Sequence, residues 1–181
     1  MDTQGFGCHM PAIRKQAGST LLELMVMGSI IGILALVLLD RTLRYQEVAE
    51  KTVMETTFFN MRTGLHLRMA ELMIKNRMQD MGLVARENPI NWLEAPPPNY
   101  IGEIDKPAPE QIPLGSWYYD SGRRQLVYVP ERTRHLRPGP GGEKVIRYQV
   151  TSTTRPDQGG GAPKVEGVTL APVIPYDWPV F

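Results

Sequence analysis

A single carboxylate, Glu23, borders an uncharged run from Leu24 to Leu39, and Arg14, Lys15 and the small residue Gly18 lie just upstream. An ionised carboxylate at the centre of a bilayer costs about 2.5–3.5 kcal/mol on insertion scales, so a residue of this kind calls for a cationic partner. A cut after Gly18 would supply one, because the new terminus at Ser19 would carry a protonated amine four residues before Glu23. Residues four apart share a helix face, so amine and carboxylate can meet within one chain or between two staggered copies. The chemistry on offer is an ion pair, created by proteolysis, in an apolar medium.

Elsewhere the residue types that carry catalysis or hold metals do not converge. His9, His66 and His135 are far apart and in different contexts, which excludes a zinc site. Glu103 and Asp105 follow a glycine in a stretch that reads as loop, and calcium asks for about six to eight oxygen ligands where this segment offers few. There is no Gly-x-Ser-x-Gly elbow, and Gly139 to Gly142 lacks the Lys-Ser/Thr of a phosphate loop. No catalytic residue, enzyme activity, metal or cofactor is expected. Arg132, Arg134, His135 and Arg137, with Arg123 and Arg124 at a turn, form a basic cluster without interleaved aromatics. It reads as a basic surface loop, and nucleic acid is not expected as a partner.

The elements that must position Glu23 begin with the apolar segment itself. From Leu21 to Leu39, at about 1.5 Å per residue, it can cross most of a hydrocarbon core roughly 30 Å thick. Arg14 and Lys15 precede it and Arg41 and Arg44 follow it, so the positive-inside bias alone does not orient it. Gly28 and Gly32 form a small-xxx-small pair that lets helix backbones approach, although glycine is also simply common in membrane helices. Ser29 can satisfy its hydroxyl on a carbonyl one turn back. A secretory signal peptide is disfavoured: no small-x-small cleavage pattern follows Leu39, Glu23 interrupts the apolar start, and charged helix follows at once.

Beyond Asp40, Met54, Phe58, Met61, Leu65, Met69 and Leu72 recur at steps of three and four, as one apolar stripe on a helix. Glu50, Lys51, Glu55, Arg62, Arg68, Glu71 and Lys75 are expected opposite it, on a solvated or subunit-facing surface. Gly64 is a soft point, His66 a surface or satisfied core histidine, and Gly82 the end of the pattern. One continuous helix from Thr20 to about Met73 would be on the order of 80 Å long. A chain this small cannot bury such a helix, so its first half must find lipid or other copies of itself.

Prolines at 89, 96–98 and 107–113 mark connecting segments, with Trp92 and Leu93 docking the first on the core. Ser116 to Tyr119 and Gln125 to Val129 read as a hairpin around Asp120-Ser121-Gly122-Arg123. Lys144 to Thr151 alternates Ile146, Tyr148 and Val150 against Val145, Arg147 and Gln149, and a last strand uses Val165 to Ala171, after Gly159 to Gly161. The expected fold class is α+β: a long N-terminal helix packed on a small C-terminal antiparallel sheet. Net charge is +1, which makes no case for a polyanionic partner, and the only cysteine is Cys8.

Gly18-Ser19-Thr20-Leu21-Leu22-Glu23, with Arg14-Lys15 before it and Leu24-Met25-Val26 after it, resembles the processing and assembly signal of type IV pilins and type II secretion pseudopilins. The resemblance covers residues 14–39 and is only architectural beyond. It implies cleavage between Gly18 and Ser19 by a prepilin peptidase, N-methylation at Ser19, and a docking role for Glu23 as each subunit joins a filament. The chain departs from the family at Ser19, where Phe is usual, and at Asp40, where many major pilins carry a kinking Pro. On this reading residues 1–18 are a leader, with Met1 and Met10 both open as its start, 19–39 a transmembrane and filament-core helix, 40–81 its amphipathic continuation, and 82–181 a periplasmic β domain. The leader would carry Cys8 away, leaving no thiol, which argues against a major pilin.

The implied partners are a prepilin peptidase, other pilin or pseudopilin subunits and an inner-membrane assembly platform. The implied location is the bacterial inner membrane, single-pass, with the N-terminus cytoplasmic and the C-terminal domain periplasmic. The leading expectation is a pseudopilin serving type II protein export. A minor type IV pilin shares every residue used here, and a signal-anchored periplasmic binding module that never assembles is the alternative of a different class.

Overall fold

Between Pro11 and Pro89 no proline removes a ladder donor, and good helix formers dominate. The structure, a computed structural model, describes residues 17–108, 111–155 and 164–180. Helix α1 spans Ala17–Ile74. Arg14, Lys15, Met10, Cys8 and the glycines at 159–161 lie outside the described residues. The chain divides into two units, the first ending at Leu43 and the second beginning at Arg44.

The expected end of the helical pattern at Gly82, and with it the boundary at residue 81, is displaced. Asn76 adopts the left-handed conformation (φ 57°). The Arg77 N–H reaches back to the Leu72 carbonyl at 2.8 Å and the Asn76 N–H to that of Met73 at 3.1 Å. This paired closure is the usual way a helix stops on a left-handed residue, with asparagine in place of glycine. Gly82 lies instead in a separate short helix, α2 (Met81–Val84). A 3-10 turn follows at Pro89–Trp92, where the Asn88 side chain accepts from the Ile90 N–H at 3.1 Å.

Five strands follow: β1 (Tyr100–Ile104), β2 (Ser116–Asp120), β3 (Gln125–Val129), β4 (Ile146–Arg155) and β5 (Lys164–Pro172). They form one sheet in chain order. From β2 onward each pair is antiparallel, with Tyr118 opposite Val127, Leu126 opposite Tyr148, and Val150 opposite Leu170. β1 is unanticipated and runs parallel to β2, so the sheet is mostly rather than wholly antiparallel. Glu103 therefore sits on a strand, not in a loop.

In the second unit α1 packs on this sheet, an α+β arrangement. Met54, Met61, Leu65 and Leu72 are buried, and Phe58 and Met69 lie partly buried against the same core. The sheet contributes Trp117, Leu126, Tyr128, Ile146, Tyr148 and Leu170. In β4 the alternation follows the sequence pattern, with Ile146, Tyr148 and Val150 inside. Phe58 stacks on Tyr148 at 4.5 Å between ring centroids, and Trp117 lies 4.7 Å from Tyr128. Aromatic pairs in such geometries add about 0.5–1.5 kcal/mol beyond burial. Gly64 is no soft point: a Cβ there would meet the Trp92 carbonyl oxygen at 2.6 Å, so the missing side chain lets the 3-10 turn dock on the helix.

Candidate functional site

Gly18, Ser19, Glu23, Gly28 and Gly32 all fall within α1. From Leu21 to Leu39 every Leu, Ile, Met and Val keeps at least half its surface exposed, from 51% at Val26 to 73% at Leu24. This is one helix long and apolar enough to cross a membrane, with none of its apolar window buried by protein. Glu23 is exposed at its N-terminal border. A Cβ added at Gly28 or Gly32 would meet nothing within 4 Å, so the two glycines form an open notch on one helix face. Ser29 donates to the Met25 carbonyl at 2.8 Å and is satisfied inside the helix, as expected.

Two acids at the start of the second unit hold a different kind of site. Glu47 retains only 2% of its surface. Its Oε1 accepts the His135 N–H at 2.9 Å and the Trp178 indole N–H at 2.9 Å, while Oε2 lies 2.7 Å from His135 Nδ1. Burial pushes the Glu47 carboxyl up, but the bonds from the His135 amide, the Trp178 indole and the His135 ring, with that ring's charge, more than offset it and hold the carboxyl below its ordinary value. One turn on, Glu50 accepts from the Tyr128 hydroxyl at 3.0 Å and from the amides of Glu131 and Arg132 at 2.6 and 2.9 Å. Burial, then the Glu50 charge and its hydrogen bond, push the Tyr128 hydroxyl up, so it stays a donor. Lys51 donates to the Trp178 carbonyl at 3.0 Å. Helix, the 130–137 loop and the C-terminal segment are thus joined at one place.

This corrects two expectations. Glu50 and Lys51 do not face solvent but are half-buried anchors, and His135 is not a free member of a basic surface loop. Glu55, Arg62 and Lys75 do face outward, and His66 is an exposed surface residue. Glu47 went unremarked, although it stands seven residues, about two turns, before Met54 and so on the apolar stripe. An acid at a core register position was the signal.

Among the described residues no group of three or more His, Cys, Asp or Glu is placed to hold a metal ion. A cleft of about 580 Å³ lies between the 136–143 loop, Arg123, Arg147 and Ile174 to Asp177, and two ion pairs cross it: Arg137 with Asp177 and Arg147 with Glu143, each at 2.7 Å. Those pairs hold the loop on the sheet. No protein-family model, curated protein or solved structure matches this chain.

Proposed function

We propose that this chain is a pseudopilin: a prepilin peptidase cuts it between Gly18 and Ser19, and it assembles through its apolar helix into a short filament that serves type II protein export. The observation that carries the reading is the uncovered span, apolar on every side, with a lone acid at its N-terminal border and Gly18 five residues earlier. A helix with no protein-covered face needs lipid or copies of itself, and the signal at residues 18–23 resembles that of subunits which use first one and then the other. Glu23 is the docking acid and the Ser19 amine its partner, methylated if the resemblance extends to that step. Gly28 and Gly32 are where a neighbouring helix approaches most closely.

The test is intact mass and assembly. Co-expression with a prepilin peptidase should yield a chain beginning at Ser19, and Gly18→Leu should leave the heavier precursor. Glu23→Leu should insert in the membrane at wild-type level yet disappear from sheared or cross-linked filaments. Unprocessed native protein, or full incorporation of the Glu23→Leu variant, would overturn the proposal in favour of a non-assembling anchored module. A minor type IV pilin makes the same predictions for these variants and is separated by which export or pilus machinery the filament fraction carries.

A further inference from the structure

We infer that the outward stripe of α1 between Tyr45 and Ile74 is a pairing surface for the same stripe of a second copy of this chain. The stripe lies wholly within the second unit. Tyr45, Val53, Phe59, Leu67 and Ile74 stand on it, exposed by 63% at Val53 to 87% at Ile74. Between them come the small residues Ala49, Thr56, Thr63 and Ala70, all exposed. Large and small thus alternate at steps of three and four along about 44 Å of helix, which makes one straight face. The opposite face is already occupied, with Met54, Met61, Leu65 and Leu72 buried in the core.

Area, charge and shape name a twin as the occupant. An apolar face of this length removes on the order of 800 Å² per copy when a like helix lies along it, the size of a stable specific interface. A copy presents the same charges, so a face with a net charge would repel its twin. None of the stripe residues named above is charged, although Glu55, Arg62, Glu71 and Lys75 stand on the flanks of the same helix. The alternation also fits itself. With an offset of one turn, about 5.4 Å, each large side chain of one copy meets a small one of the other, whichever way the two helices run. The hydroxyls of Thr56 and Thr63 donate to the carbonyls of Thr52 and Phe59 at 2.8 and 3.1 Å, so neither asks a neighbour for a partner. The core already fixes the helix, so pairing orders no backbone. This contact goes beyond the proposed filament docking, because it needs neither the cut at Gly18 nor the carboxylate of Glu23.

The test is cross-linking of the full chain in membranes, in a Cys8→Ser background, with a short bis-maleimide. Asn60→Cys, exposed near the middle of the stripe, should give an adduct of twice the chain mass, and Glu94→Cys, exposed in the segment after the Trp92 turn, should not. Adding T56K/T63K should lower the Asn60→Cys dimer yield about tenfold through like-charge repulsion, and T56E/T63E should do the same. Mixing the lysine and glutamate variants should restore the yield, which neither would do if it had merely misfolded. Glu23→Leu should leave the yield unchanged, so this contact and the filament reading stand or fall separately. The inference is overturned by an equal yield at Glu94→Cys, by no dimer at Asn60→Cys, by adducts of another mass, which would name a different partner, or by a lysine variant that the glutamate variant fails to rescue. Dimer lost with Glu23→Leu alone would also overturn it, since filament docking would then account for the proximity.

Discussion

Replacing Glu47 with alanine removes at once the acceptor for the His135 amide, the His135 ring and the Trp178 indole. Each buried donor left without a partner costs about 1–3 kcal/mol, and breaking a buried pair typically costs about 3–5 kcal/mol. Urea unfolding of the detergent-solubilised chain, followed by tryptophan emission, should show a loss in that range. The pH dependence has a definite sign. The folded carboxyl titrates below its ordinary value of 4.5, so its contribution is complete at neutral pH and disappears as pH falls through the depressed value. The urea midpoint should therefore drop as pH falls below the ordinary carboxyl value of 4.5, and Glu47→Gln should flatten that drop; an unchanged slope would refute the role given to this acid. The position was readable from the stripe register, but its partners were not, since they lie 88 and 131 residues further along the chain. Spacing reports a helix face and says nothing of which distant loop folds onto it.

Helices and strands fail or hold at particular small residues. Gly64→Ala would drive a Cβ into the Trp92 carbonyl oxygen at 2.6 Å and the Trp92 Cβ at 2.9 Å, and overpacking of this kind costs about 1–3 kcal/mol. Hydrogen exchange should report it as faster opening of residues 88–93. At the helix end, Asn76→Val places a β-branched side chain at φ 57° and should cost about 1–2 kcal/mol in the same unfolding measurement, whereas Asn76→Gly should be neutral or stabilising. The stripe, the hairpin and the inward face of β4 were all legible because each is a local repeat of three to four or of two. β1 was not: five residues between prolines, with Gly102 inside, look like a connection, and only an edge position in a sheet tolerates such neighbours. Asn76 outranked Gly82 because the left-handed cap closes where the stripe runs out at Leu72, not at the next glycine.

At the scale of the whole molecule, every buried residue among those described lies at or beyond Glu47, so the second unit has a core of its own. Residues 44–181 expressed alone should fold with an unfolding midpoint close to that of the full chain; a collapse in stability would show that the span supports the domain. Conversely, a Cβ at Gly28 or Gly32 meets no atom within 4 Å, so Gly28→Leu and Gly32→Leu should leave the midpoint unchanged while reducing recovery of cross-linked assemblies. The apolar span was legible because a membrane segment must declare itself in consecutive residues. What covers it was not, since no single chain carries its neighbours. The outer strand β1 has one more implication. It is five residues long, its register breaks between Tyr100 and Glu103, and Gly102 sits there at φ 107°. So short and bent a rim is a poor template for a foreign backbone. A second sheet that meets this flank therefore finds no long straight row of open amides to extend.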